Sequence, residues 1–278
     1  MVDRKQKIMS SLKSEGKGLE IGPSYSPVAA KKDGYNVEIL DHCTKEELIA
    51  KYGEHFVDHD AIEKVDYVSH GEPYAELIGR RNTYDWVIAS HVIEHVPDLI
   101  GFINNCADLL SEDGILSLAI PDKRYCFDRL RPISGLSQTI DCHLEKRTTH
   151  SKGKLAEYLI NVVRLDKDIA WKPEIALEQS YERISYVHTL EQVIQEMEKV
   201  ELSGEYYDLH AWCFTPNSFR LIIEDLYNLG FIKLREMKFD PGDGFEFYVT
   251  LAANGNGHGI ERRTLARRIE VEQAIVAL

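Results

Sequence analysis

Glycine, carboxylate and histidine residues recur in this chain at spacings that could do chemistry. Gly18-Leu19-Glu20-Ile21-Gly22-Pro23-Ser24 runs from a short apolar segment into a turn, and Gly22 lets the backbone bend sharply and approach a ligand closely. Asp41 ends the next apolar segment, Val37 to Asp41, about twenty residues further on. A carboxylate placed there, at the end of a second strand, accepts hydrogen bonds from ribose hydroxyls. The histidines offer proton chemistry, because an imidazole with an unperturbed pKa of about 6.5 is mostly neutral near pH 7. Ser90-His91 stands at the carboxyl end of an apolar run, where open α/β sheets bind ligands. Glu94-His95 opens the following helix, either as a capping pair or as part of a site. His143 and His150 are seven apart with Arg147 between them, hence on one face if that segment is helical. His210-Ala211-Trp212 sets an imidazole beside an aromatic, a common means of holding a sugar or ring.

Apolar runs of strand length that would position these groups occur at Gly18 to Gly22, Val37 to Asp41, Trp86 to Ser90 and Ile115 to Ile120, with a weaker one at Val65 to Ser69. Helix-compatible stretches, Lys45 to Tyr52, Tyr74 to Gly79 and Leu99 to Leu110, lie between them. This alternation predicts a parallel sheet with helices on both faces. It stops after Ile120, and residues 126–209 predict a helical insertion without strands. Thr215-Pro216 then caps a helix that Gly230 ends, and Phe231 to Lys238 and Phe245 to Ala252 predict two antiparallel strands. A tail helix from Ile260 to Leu278 is expected to be loosely attached or to build a homo-oligomer.

Composition excludes several classes of function. At 278 residues, 44% hydrophobic and 28% charged, the chain can bury a substantial core. The formal charge of −13 disfavours a nucleic-acid substrate. No apolar run approaches the ~20 residues of a membrane span, and the first residues hold no apolar signal core, so a cytoplasmic location is expected. The five cysteines show no paired spacing, which argues against a zinc cluster or a disulfide framework.

Taken with the fourth-strand run Tyr84 to Asp98, which contains His91-Val92-Ile93-Glu94-His95, and with Gly114-Ile115-Leu116 leading to Ile120-Pro121-Asp122, the glycine turn and Asp41 resemble the class I S-adenosylmethionine-dependent methyltransferases. The resemblance covers residues 17–125 and returns at 210–252. It implies a Rossmann-like seven-stranded α/β sheet, with S-adenosylmethionine held by Glu20, Gly22, Pro23, Ser24, Asp41, His70, Gly71, Ser90, His91 and His95. The expected domains are a cofactor half, 1–125, an acceptor lid, 126–209, a returning part of the sheet, 210–253, and the tail, 254–278. Ser24 and Ser26 stand where the family commonly has further glycines, and His70-Gly71 where many members place an adenine-binding acid, a part Asp60 or Glu72 could also play.

A same-fold dehydrogenase would carry Gly-x-Gly-x-x-Gly, which Pro23, Ser24 and Pro27 interrupt. A non-catalytic cofactor module would have no reason to keep Glu20, Gly22 and Asp41. The run Ile120-Pro121-Asp122-Lys123-Arg124-Tyr125 and the segment His210 to Pro216 are similar to enzymes of polysaccharide and glycan assembly. That similarity implies O-methylation of a saccharide hydroxyl, with a small natural-product or lipid-like acceptor as the alternative. His143, then His150 or His210, is expected to be the general base, with Asp122 in reserve and no metal required.

Overall fold

The computed structural model of the chain describes residues 3–13, 15–53, 57–172, 181–203 and 206–277. Its centre is a seven-stranded sheet in the order β3-β2-β1-β4-β5-β9-β8. The strands are β1 (Gly18–Ile21), β2 (Val37–Asp41), β3 (Tyr67–Val68), β4 (Tyr84–Ser90), β5 (Leu110–Pro121), β8 (Arg235–Asp240) and β9 (Glu246–Ala252). β1 to β5 run parallel, while β9 is antiparallel to both β5 and β8. The sheet is covered on both faces, as a parallel sheet of apolar strands must be. Along β4, Val87 and Ala89 face one apolar cluster with Phe102 and Ile103, while Trp86 and Ile88 face another with Ile8 and Ile115. Gly18 is required by this packing, because a Cβ there would lie 2.0 Å from the buried Trp86 ring.

Helices α2 (Lys45–Lys51), α3 (Tyr74–Ile78) and α4 (Leu99–Leu109) fall on the expected stretches, as do the strands of the sheet, and a short helix α1 (Arg4–Met9) precedes β1. Two local signals account for α2 and α4. A capping box joins Thr44 and Glu47, and the Asp98 carboxylate accepts from the Gly101 amide.

The insertion contains α5 (Leu136–Leu144), α6 (Lys152–Asn161) and α7 (Leu190–Ser203). It also contains a small antiparallel pair, β6 (Val163–Leu165) with β7 (Ile184–Tyr186), which corrects the expectation of a strandless segment. After α8 (Pro216–Asn228), the tail forms α9 (Arg262–Ala277). It is anchored rather than loose: Leu265 is fully buried, and the Glu272 carboxylate accepts from the Asn217 side-chain amide at 2.5 Å. Among the described residues, no helix is long and apolar enough to cross a membrane.

Candidate active site

Parallel order changes direction between β1 and β4, and the carboxyl ends of β1, β2 and β4 open there onto a cleft of about 890 Å³. Gly22 forms its floor in a left-handed conformation, φ 62°, and a Cβ there would lie 2.9 Å from Val92 Cγ2. The Asp41 carboxylate is buried at the β2 end of the cleft, where it accepts from the His42 amide at 2.7 Å and the Ser24 amide at 3.3 Å. Glu20 also borders the cleft, but its two oxygens accept from the amides of Val28 and Ala29 at 2.7 and 3.0 Å. Burial raises the Glu20 pKa to about 7, and its work is to brace the loop that Gly22 begins.

The cleft fits a ribose-bearing cofactor. Asp41 presents a buried carboxylate at the β2 end, Ser24 Oγ is buried without a hydrogen-bond partner, and the glycine floor permits close approach. Pro23, Ser24, Ser90, His91 and His95 all line it. His70 and Gly71 do not; they sit on an exposed turn where the His70 amide donates to Glu72, and Ser69 and Tyr74 form the wall instead.

The other end of the cleft is built from histidines and carboxylates. Arg4 of α1 reaches across to donate to Ser90 Oγ at 2.6 Å and to Glu246 at 2.7 Å. His91 has φ 55° and sits between two acids, its Nε2 2.9 Å from Glu246 and its Nδ1 3.4 Å from Glu94. Burial opposes its charge, but the two carboxylates outweigh burial and raise its pKa to about 9. His95 Nδ1 lies 2.9 Å from Asp208, whose carboxyl this contact holds below the usual range. Burial opposes the charge of His95 too, and Asp208 and Glu94 still raise its pKa.

Behind this wall Glu94 is fully buried, and its backbone carbonyl accepts from the amides of Ala211 and Trp212 at 2.7 and 3.1 Å. These bonds bring His210 beside His95, with ring centroids 4.6 Å apart, while Asp128 meets His210 Nδ1 at 2.5 Å.

Of the four expected catalytic residues, the fold brings His210 into this cluster and sets His150 just behind it, 5.1 Å from the Tyr206 ring. His150 is kept neutral, since burial, with His95 and Lys154 nearby, lowers its pKa to about 4. His143 lies elsewhere, its Nδ1 2.9 Å from Asp98 at the start of α4. Asp122 is also apart, buried against the Arg124 guanidinium. Asp128, Asp208, Glu246 and Arg4 were not identified from the sequence; the one signal near at hand was Asp208 two residues before His210.

The His91–Glu246 pair should leave a mark on stability. His91 has a folded pKa above its unfolded value, so its contribution is full below pH 6.5 and fades as pH rises through about 9. Glu246 has a folded pKa lowered from 4.5 to about 2, so its contribution is full above pH 4.5 and fades as pH falls through about 2. His91→Asn, which tolerates positive φ, should remove about 1–3 kcal/mol at pH 6 and less at pH 9.5. Thermal unfolding of both proteins across that range checks this, and parallel profiles would refute it.

Among curated proteins none matches the chain. The solved CcbJ methyltransferase from Streptomyces caelestis is 16% identical, with a TM-score of 0.31 over 44% of this chain and 54% of its own. The trans-methyltransferase CalH, solved as a complex with SAH, is 14% identical, with a TM-score of 0.42 over 89% and 53%. The chain thus spans about half the length of each. A possible histamine N-methyltransferase from Thermotoga maritima is 12% identical, with a TM-score of 0.38 over 90% and 87%. Residues 1–202 match the model of a methyltransferase domain, and the chain therefore belongs to that family.

Proposed function

We propose that the enzyme methylates a hydroxyl oxygen of a small polyhydroxylated acceptor, in the first place a sugar of a glycan or glycoconjugate. The observation that carries this reading is the Asp208–His95 pair, with Tyr206 beside it on the wall of the cofactor cleft. Such a wall offers hydrogen bonds and a route for a proton, which a hydroxyl acceptor needs.

S-adenosylmethionine, when bound, supplies a methyl group on a positively charged sulfur. Gly22, Ser24 and Asp41 would hold its ribose side, and Ser90 and His91 would border the reacting end. His95 in its neutral form, backed by the Asp208 carboxylate, would take the hydroxyl proton as the acceptor oxygen receives the methyl group that the cofactor would supply. Asp208 is half-exposed and can pass that proton to water. Tyr206 and Asp208 reach the cleft from the last part of the 126–209 segment, in keeping with that segment choosing the acceptor.

The test is transfer of a labelled methyl group to a panel of free sugars, glycolipids and small phenols. Label should appear on a sugar oxygen, and Asp208→Asn should slow turnover about tenfold while cofactor affinity holds. Label found only on phenols, or only on carbon or nitrogen acceptors, would overturn the sugar reading.

A further inference from the structure

We infer that Glu94, His95 and His210 form a binding site for a divalent first-row transition-metal ion at the acceptor end of the cleft. This rests on the hydroxyl-acceptor reading for its purpose, though not for its geometry. Each residue offers one donor atom, and the three lie within 4.8 Å of one another. Donors bonded at about 2.0–2.2 Å to a common ion stand roughly 3–4 Å apart, so small side-chain movements close the site.

Three observations set this cluster apart from a chance grouping of polar residues. Glu94 is fully buried, yet neither carboxylate oxygen has a hydrogen-bond partner. The ring nitrogens facing it are His91 Nδ1 at 3.4 Å and His210 Nε2 at 4.0 Å. His91 gives Glu94 one cationic neighbour, but beyond normal hydrogen-bond length and shared with Glu246, so the side of the carboxylate that faces His210 gains from a further cation. Second, each imidazole is held from behind by an acid, His210 by Asp128 at 2.5 Å and His95 by Asp208 at 2.9 Å. Metal-bound histidines are held the same way, because a carboxylate on the far nitrogen fixes the ring and its tautomer. Third, the backbone of Glu94 itself anchors residues 211 and 212, so His210 is placed by the turn that carries the other two donors.

Two imidazoles and one carboxylate suit manganese, iron, cobalt or zinc better than calcium or magnesium, which prefer oxygen ligands throughout. Three protein ligands leave positions free, and His95 and Asp208 line the cleft, so the free positions face the acceptor. An ion there would acidify a hydroxyl in contact with it and would favour an acceptor that can offer two neighbouring oxygens. With the ion on His95 Nε2 that nitrogen no longer takes the proton, and Asp208 alone accepts it and passes it to water.

The test uses the whole protein, stripped with a chelator and titrated separately with manganese, cobalt, zinc and magnesium. Cobalt should bind one per chain with visible absorption of a nitrogen- and oxygen-ligated ion, and magnesium should bind at least tenfold more weakly than manganese. His210→Ala and the less buried His95→Ala should each weaken cobalt binding a hundredfold or more. No saturable binding up to millimolar metal, or binding that both variants retain, would overturn the site. Methylation assays separate this outcome from the parent reading. Chelated enzyme that methylates a sugar hydroxyl at full rate removes the metal and keeps the acceptor. A loaded enzyme that methylates only carbon or nitrogen keeps the metal and removes the acceptor.

Discussion

Asp41→Ala should weaken binding of S-adenosylmethionine and of its demethylated product on the order of a hundredfold, because it deletes an anion that two ribose hydroxyls would share. Hydrogen bonds to a charged group contribute about 1.5–3 kcal/mol each, and two of them correspond to at least that ratio. The fold should persist, since the carboxylate's partners are all at the mouth of the turn, the amides of Ser24 and His42 and the exposed His42 ring, whose Nδ1 lies 2.7 Å away. Calorimetry on the purified variant measures the effect directly. Affinity unchanged within a factor of three would show that the ribose lies elsewhere and that Asp41 serves only to shape the turn.

Arg131→Met should lower the unfolding free energy by about 3–5 kcal/mol, the usual consequence of removing one partner from a buried ion pair. Arg131 has no exposed side-chain surface, and its guanidinium meets Asp128 at 2.7 Å and Glu157 at 2.8 Å. Asp128 in turn holds His210, so the variant leaves that buried carboxylate without its guanidinium partner directly behind the active-site wall. Urea titration should show a lower midpoint with an unchanged slope. Arg147→Met, which breaks the exposed pair with Glu145, is the comparison and should lose under about 1 kcal/mol. Equal losses in the two variants would show that burial at Arg131 carries no special weight.

The parts of the molecule legible in the sequence are those decided by neighbours along the chain. Strand-length apolar runs, the helix start at Thr215-Pro216, Gly22 and Asp41 all belong to this class. The histidine cluster does not, because its partners come from distant segments: His91 meets Glu246, and His210 meets Asp128 and Glu94. The spacing of His143 and His150 predicts a shared helix face, but α5 ends at Leu144, so the two rings belong to different elements. His143 consequently turns to Asp98, while His150 is buried near Tyr206. β6 and β7 leave no mark in the sequence for another reason. Three residues are too few to display alternation, and Val163-Arg164-Leu165 follows directly on the pattern of α6.

The bonds from the 211–212 backbone to Glu94 also govern when the enzyme comes into being. Trp212 donates its indole hydrogen to the Val96 carbonyl at 2.7 Å across 116 residues of chain. At a synthesis rate of about 5–20 residues per second, roughly 6–23 s pass between making the two partners. Throughout that interval a growing chain carries Glu94 and His95 without His210. A nascent chain therefore holds its histidine cluster incomplete until residues 208–212 have been made and have folded back onto Glu94 and Val96.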